Sequence, residues 1–194
     1  MKVFLRLDDP ELIALINEGA VGVLPTDTVY GLVARADDQA AVTRLYGLKN
    51  RERKPGSSIA ANVEQLRALG LPARYLDQVA HLWPNPVSVV IPHDLAYIHQ
   101  GLGDSPFRVV ADEQLRALLQ QTGPLTTSSA NHPGEEPARN LSEAQTYFGD
   151  RVDFYVDGGD IGERPSSTVV RIDDSGITLF RKGAVNVNEK GEIA

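Results

Sequence analysis

The 194-residue chain has no cysteine. That absence removes disulfides, zinc–thiolate sites and thiol nucleophiles together, and it fits a reducing compartment. No apolar run approaches the ~20 residues of a membrane-spanning helix. The apolar core of the opening stretch Met1-Lys2-Val3-Phe4-Leu5 is too short for a secretory signal. A cytoplasmic location, with no membrane partner, is therefore expected. Positive charge is scarce overall: 19 Lys and Arg stand against 26 Asp and Glu, a net charge of -7. Such a chain is not a whole-surface nucleic-acid binder, and 6% aromatics is thin for a base-stacking platform. His81, His93, His99 and His132 never stand at a metal-ligand spacing such as His-x-x-x-His, so they read as surface or satisfied side chains and no protein-held metal is expected. Repeats and low-complexity segments are missing too.

What is present suggests one domain, at the soft prior of ~150 residues each, with enough chain to bury a core. Short strands are expected at Val3 to Leu7, Val21 to Leu24, Tyr30 to Ala34, Ser57 to Ala61, Val87 to Ile91, Phe107 to Val110 and Leu125 to Ser128. Phe154 to Val156, Thr168 to Ile172 and Ile177 to Arg181 read as closing strands. Helices fall between them. Asp9, Asp37 or Asp38, Asn62, Asp112 and Asn140 stand where N-caps belong. Pro72 starts a further helix, and a Gly- and His-rich loop follows Ile91. Interleaved strands and helices suggest a layered α/β domain, and strands that follow one another directly make the sheet mixed. The polar stretch 186–194 is expected to fray.

Against the acidic background, Lys49-Asn50-Arg51-Glu52-Arg53-Lys54 packs four cations into six residues, with Arg44 upstream. A cationic cluster in an acidic protein is a local anion site. A plainer reading stands beside it: basic residues at a helix C-terminus complement the helix dipole. Two features favour the anion site. Pro55 and Gly56 push the cations onto a loop. A second polar cluster, Thr126-Thr127-Ser128-Ser129-Ala130-Asn131, also follows an apolar run. Alone, Ser129-Ala130-Asn131 could be an Asx-type turn, Thr28 a strand-edge threonine and Tyr30 a buried wall.

Four pieces in register resemble the YrdC/Sua5 family, the threonylcarbamoyl-AMP synthases of transfer-RNA threonylcarbamoyladenosine (t6A) synthesis. They are Pro25-Thr26-Asp27-Thr28-Val29-Tyr30-Gly31-Leu32, Lys49-Asn50-Arg51 with Lys54-Pro55, Ser129-Ala130-Asn131, and Ser167-Thr168-Val169-Val170 with Arg181-Lys182-Gly183-Ala184. The family signature is the Lys-x-Arg plus the Ser-x-Asn. The resemblance implies one open, twisted, mixed sheet of about seven strands with helices outside and a concave ligand-binding face (YrdC/RibB-like). It spans residues 1–185, followed by the tail 186–194. Because the chain ends soon after Ala184, the resemblance is to the form without the extra C-terminal domain.

The implied activity is nucleotidyl transfer: L-threonine, bicarbonate or CO2 and ATP condense to threonylcarbamoyl-AMP and pyrophosphate. Such transfer needs positioning and charge stabilisation more than a covalent nucleophile. The resemblance implies Lys49, Arg51, Ser129 and Asn131 as catalytic residues, and Thr28, Tyr30 and Ser129 for threonine. It implies Lys49, Arg51, Lys54, Arg108, Ser167, Thr168 and Arg181 for the triphosphate, with Arg53 a weaker candidate. Magnesium is expected to arrive on ATP with few protein ligands, and Asp27 is a candidate outer partner of that ion. Implied partners are transfer RNA or double-stranded RNA and the downstream threonylcarbamoyl transferase proteins. Three departures stand out. Asn50 fills the variable middle of Lys-x-Arg, Ser88 replaces a frequent Thr, and Arg108-Val109-Val110-Ala111 lacks a frequent proline. Two alternatives compete: a non-catalytic RNA-binding module using the same cations on phosphates, and a paralogue with another small-molecule substrate.

Overall fold

In the computed structural model, residues 1–49, 54–162, 164–188 and 191–193 are described. In chain order they form β1 (Lys2–Phe4), α1 (Pro10–Asn17), β2 (Gly22–Pro25), β3 (Tyr30–Arg35), α2 (Gln39–Leu48) and β4 (Ser57–Ala60). Next come α3 (Val63–Ala68), α4 (Ala73–Val79), a 3-10 turn (Ala80–Leu82), β5 (Val87–Pro92), α5 (Ala96–His99) and β6 (Asp104–Val109). The chain closes with α6 (Glu113–Thr122), β7 (Leu125–Ser129), α7 (Leu141–Phe148), β8 (Phe154–Val156), β9 (Thr168–Asp173) and β10 (Gly176–Arg181). None of these helices is long and apolar enough to cross a membrane.

Short polar side chains set the helix starts. Asp9 Oδ1 accepts from Glu11 N at 2.9 Å, with Pro10 at the first helical position. Asp38, not Asp37, caps α2 by accepting from Ala41 N at 3.0 Å. Asn62, Asp112 and Asn140 cap α3, α6 and α7 by accepting from Gln65 N, Leu115 N and Glu143 N. Each bond satisfies a first-turn N–H that has no partner inside the helix.

The described strands form a single mixed sheet of ten, in the order β1-β8-β2-β3-β7-β4-β6-β5-β9-β10. Ten strands replace the seven or so implied by resemblance, while all ten lie where the alternating apolar pattern puts a strand. The central register is antiparallel for β3 with β7 (Gly31 opposite Ser129) and for β7 with β4 (Ser57 opposite Thr127). It is parallel for β4 with β6, where Ile59 lies opposite Arg108.

Alternation sends successive side chains to opposite faces. One face carries two apolar clusters, with the buried hydroxyls of Ser58 and Thr126, 3.0 Å apart, on the strands between them. Val23, Leu32, Ala34 and Tyr155 pack there on Val42 and Leu45 of α2 and on Phe148 of α7. Farther along, Phe107, Val89 and Val170 pack on Leu66 of α3 and Leu76 and Val79 of α4. The other face changes character. Leu24, Val33, Ile59, Leu125 and Phe154 pack on Leu12 and Ile16 of α1 and on Leu115, Leu118 and Leu119 of α6. By the same alternation, Gly31, Thr127, Ser129, Ser57, Arg108 and Ser88 also belong to this face, and they make it polar beyond the two helices. The described residues of stretch 186–194 depart from the expected fraying. Val187 is buried, bridges Ile193, and His81 Nε2 lies 3.0 Å from Gly191 O.

Candidate functional site

The turn Thr26–Val29 joins β2 to β3, and Thr26 builds it. Its Oγ1 donates to Val29 O at 2.6 Å and accepts from Val29 N at 3.2 Å and Thr28 N at 3.3 Å. Thr26 is buried, so its hydroxyl serves the turn, while Thr28 is half-buried with its own hydroxyl 3.3 Å from Thr26 Oγ1. Sequence reasoning singled out Thr28 and missed Thr26, although both stand in the same hydroxyl-rich stretch. Behind the turn the backbones are tight: a Cβ on Gly31 would lie 2.4 Å from Thr127 Oγ1, and one on Gly56 would lie 2.2 Å from Thr127 O. Glycine at these two places lets β3 and the start of β4 close on Thr127.

Lys49 caps the C-terminus of α2, where its charge complements the helix dipole. Its ammonium also crosses to the end of β7. Nζ donates to Ser129 O at 2.7 Å, to Asn131 Oδ1 at 2.9 Å and to Asn131 O. Lys49 is 2% exposed. These bonds tie the ammonium to the Ser-x-Asn loop. Ser129 Oγ in turn donates to Asn131 Oδ1 at 2.6 Å, and Asn131 Nδ2 donates to Glu135 O. Lys49, Ser129 and Asn131, separated by 80 and 82 positions, thus form one network. Its position against β3 is fixed by Ala130 N donating to Tyr30 O at 2.7 Å.

Arg108 on β6 reaches Asp27 in the Thr26–Val29 turn. Its Nη1 and Nη2 donate to the two carboxylate oxygens at 2.8 Å each. The side chains are 4% and 17% exposed, so this fork is largely out of water. Sequence reasoning treated Arg108 as a phosphate grip and Asp27 as a partner of magnesium; the structure pairs them with each other. Arg108 Nε is buried and has no hydrogen-bond partner.

The remaining candidates divide. Ser167 Oγ lies 2.9 Å from Ser88 Oγ, and the exposed Arg181 donates from Nη2 to Ser167 O at 2.9 Å. Both stand at the β5–β9 end of the same face. Thr168 is fully buried and its Oγ1 donates to Val185 O, so it holds the backbone instead of facing a ligand. Tyr30 is also fully buried; its hydroxyl donates to Gly159 O at 2.9 Å and accepts from Gly158 N at 2.8 Å. Burial, with Asp157 and Asp160 nearby, pushes the Tyr30 phenol above its ordinary pKa despite the Gly158 N–H, so it stays neutral and acts as wall. Lys54 is exposed. Arg44, counted with the cationic cluster, turns instead to Asp153, with Nη2 3.0 Å from Oδ1. Arg51 and Arg53 lie outside the described residues.

Beside Val29 and Ser166 a cleft of about 400 Å³ is lined also by Ala138, Arg139, Ile161 and Arg164. Ala138 N donates to Ala130 O at 2.9 Å, which joins this wall to the Ser-x-Asn loop.

The Sua5/YciO/YrdC family model, whose description reads "Telomere recombination", matches residues 14–183. The threonylcarbamoyl-AMP synthase of Pseudomonas aeruginosa is 36% identical over 163 residues, covering 81% of this chain and 88% of that protein. The structure of P. abyssi Sua5 complexed with L-threonine superposes with a TM-score of 0.81 at 27% identity over 95% of this chain. This chain spans 58% of the length of that Sua5. E. coli YciO shares the fold, with a TM-score of 0.78 at 19% identity over 94% of this chain and 96% of that one. The chain belongs to the Sua5/YciO/YrdC family.

Proposed function

We propose that this protein is an L-threonylcarbamoyl-AMP synthase, a nucleotidyltransferase that uses L-threonine, bicarbonate or CO2, and ATP. The observation that carries the reading is the network of Lys49 with Ser129 and Asn131, which joins the Lys-x-Arg and Ser-x-Asn motifs. Kinship adds support: the P. aeruginosa relative bears this activity in its name, and the P. abyssi relative was solved with L-threonine.

In the proposed reaction the threonine amine adds to CO2, forming an N–C bond and releasing a proton, to give a carbamate. A carbamate oxygen then attacks the α-phosphorus of ATP. The new P–O bond forms as the bond from the α-phosphorus to its bridging oxygen breaks, and pyrophosphate departs with the electron pair. The threonine carboxylate, the carbamate and the triphosphate are all anionic, so fixed donors and cations carry the catalysis. Ser129 Oγ donates to Asn131 and keeps lone pairs for a substrate donor such as an ammonium or hydroxyl. Thr28 offers a second hydroxyl across the β3–β7 pair. The buried, unmatched Nε of Arg108 suits an anionic oxygen. The cleft carries Arg139 and Arg164 against one carboxylate, Glu136, and has the size for part of the nucleotide. Magnesium is proposed to enter with ATP as part of that substrate. Arg51 and Lys54, with Ser167 and Arg181 at the far end, are proposed for the phosphates.

The product is proposed to pass to a transferase that modifies transfer RNA, in the cytoplasm. The test is pyrophosphate release from ATP, which must require threonine and bicarbonate together. Tight RNA binding without such release would favour the RNA-binding module instead.

A further inference from the structure

The edge of a β-sheet presents backbone groups that have no ladder partner. Among the described strands the two edges are β1 and β10. β10 is guarded. Its register shifts between Leu179 and Arg181, and the guanidinium of Arg171 lies 5.9 Å from the centre of the exposed Phe180 ring. β1 carries neither a register shift nor a proline, and its one charge, Lys2, turns aside to Glu11 of α1.

Backbone and side chains of β1 both leave Val3 open. Lys2 N donates to Asp153 O at 3.0 Å, and Phe4 O accepts from Asp157 N at 2.8 Å, so Lys2 and Phe4 turn their backbone groups to β8. Successive residues of a strand turn these groups to opposite sides, so the N–H and C=O of Val3 face away from the sheet. Phe4 packs with Leu12 and Phe154 on the α1 side, where Lys2 also reaches. Val3 takes the other face, level with Tyr155. Tyr155 is buried there with Phe148 of α7, but Val3 is 46% exposed. Met1 and Leu5, at alternate positions beside it, are 63% and 77% exposed. Six large apolar side chains are exposed among the described residues, and half stand in this row, so it is a patch and not scatter.

The row is its own complement. Met1-Lys2-Val3-Phe4-Leu5 is apolar at positions 1, 3 and 5 read in either direction. An antiparallel pair centred on Val3 sets Val3 opposite Val3 of a second copy, and Met1 opposite Leu5. The outward N–H and C=O of Val3 then exchange both bonds with the same two groups of the copy, as a two-fold axis requires. A strand of another protein would need no such symmetry about the residue whose backbone is open. We propose that β1 is a self-association surface, through which two copies of this chain pair antiparallel about a two-fold axis at Val3. Strands this short cover little area, so the dimer is weak and forms at about 0.1 mM protein and above. The inference does not depend on the proposed chemistry.

Sedimentation equilibrium of the purified chain should show a monomer–dimer equilibrium. Val3→Lys sets two ammonium groups directly opposite each other and should raise the dissociation constant by about 10-fold or more. Its melting temperature, measured dilute, should stay near that of the wild type, because Val3 is a surface position in the monomer. The chain has no cysteine, so Val3→Cys adds a single thiol. The two thiols would meet across the axis with Cα atoms about 5.5 Å apart, within disulfide range. In Leu5→Cys the thiols would lie roughly 13 Å apart along the strands. Mild oxidation should therefore crosslink Val3→Cys on the order of 10-fold faster than Leu5→Cys, although Leu5 is the more exposed. Wild-type protein that stays monomeric up to about 1 mM would overturn the proposal, and that is the result expected if β1 instead takes a strand of another protein. A dimer that survives Val3→Lys, or crosslinking no faster in Val3→Cys than in Leu5→Cys, would overturn it as well. Should Val3→Lys fail to fold, the crosslinking comparison decides alone.

Discussion

Replacing Lys49 by methionine keeps the length of the side chain and removes the ammonium. Three acceptors, Ser129 O, Asn131 O and Asn131 Oδ1, then lose their donor. Hydrogen bonds to a charged group contribute roughly 1.5–3 kcal/mol each. Against that, methionine removes the desolvation cost of an ammonium that is only 2% exposed. The net loss should be about 2–4 kcal/mol, which for a domain of this size lowers Tm by roughly 5–15 °C. Turnover should fall further than stability explains. The Ser-x-Asn loop would lose its anchor, and loss of one preorganised stabilising group costs on the order of 10²–10³-fold. Both quantities can be read from one preparation, by a thermal melt and by steady-state pyrophosphate release well below the lowered Tm. A Lys49→Met protein that melts within about 2 °C of wild type and turns over normally would refute the claim that Lys49 organises the site.

Asp27→Asn should leave the Arg108 guanidinium buried beside a neutral partner and cost about 3–5 kcal/mol. The double variant Asp27→Asn with Arg108→Met should cost less than the sum of the two single changes, a coupling that denaturant titration of all four proteins would measure. His93 is buried between His99, Phe107 and Ser105, and burial, with His99's charge adding to it and Asp94 opposing, pushes its pKa down to about 4 from the ordinary 6.5. The unfolded chain therefore takes up a proton that the folded chain resists between those values. His93's contribution is complete above pH 6.5 and is lost as pH falls toward 4; His93→Phe should flatten the melt–pH curve there, and an unchanged slope would count against the buried neutral ring. Arg51→Lys should lower turnover by about 10²-fold if the guanidinium forks onto two oxygens, whereas a residue serving only the helix dipole would tolerate the exchange.

The parts of the fold that could be read from sequence were those governed by local rules. Asp9-Pro10, Asn62 with Gln65 and Asn140 with Glu143 each cap a helix within three residues, and no distant contact is needed to recognise them. Strand β6 was read short, at Phe107, because Ser105-Pro106 looks like loop; only its pairing with Ile91 and Val90 of β5 makes it strand. Within the site the motifs were legible and their roles less so. The sequence shows the charge of Lys49 but not that its ammonium turns to Ser129, which depends on how α2 ends beside β7. Nor does it show that Arg44 turns to Asp153, or that Arg108 finds Asp27 across 81 positions. Those pairings are set by strand order, and no spacing within one segment encodes them.

The most direct test of the central claim is to incubate the purified protein with ATP, magnesium, L-threonine and ¹³C-bicarbonate and to follow the nucleotide products by mass spectrometry. The account predicts a threonine–carbamoyl–AMP adduct that carries the ¹³C label, formed in step with pyrophosphate and lost when threonine is omitted. Pyrophosphate released with no labelled adduct, or an adduct that forms equally well without bicarbonate and CO2, would contradict it.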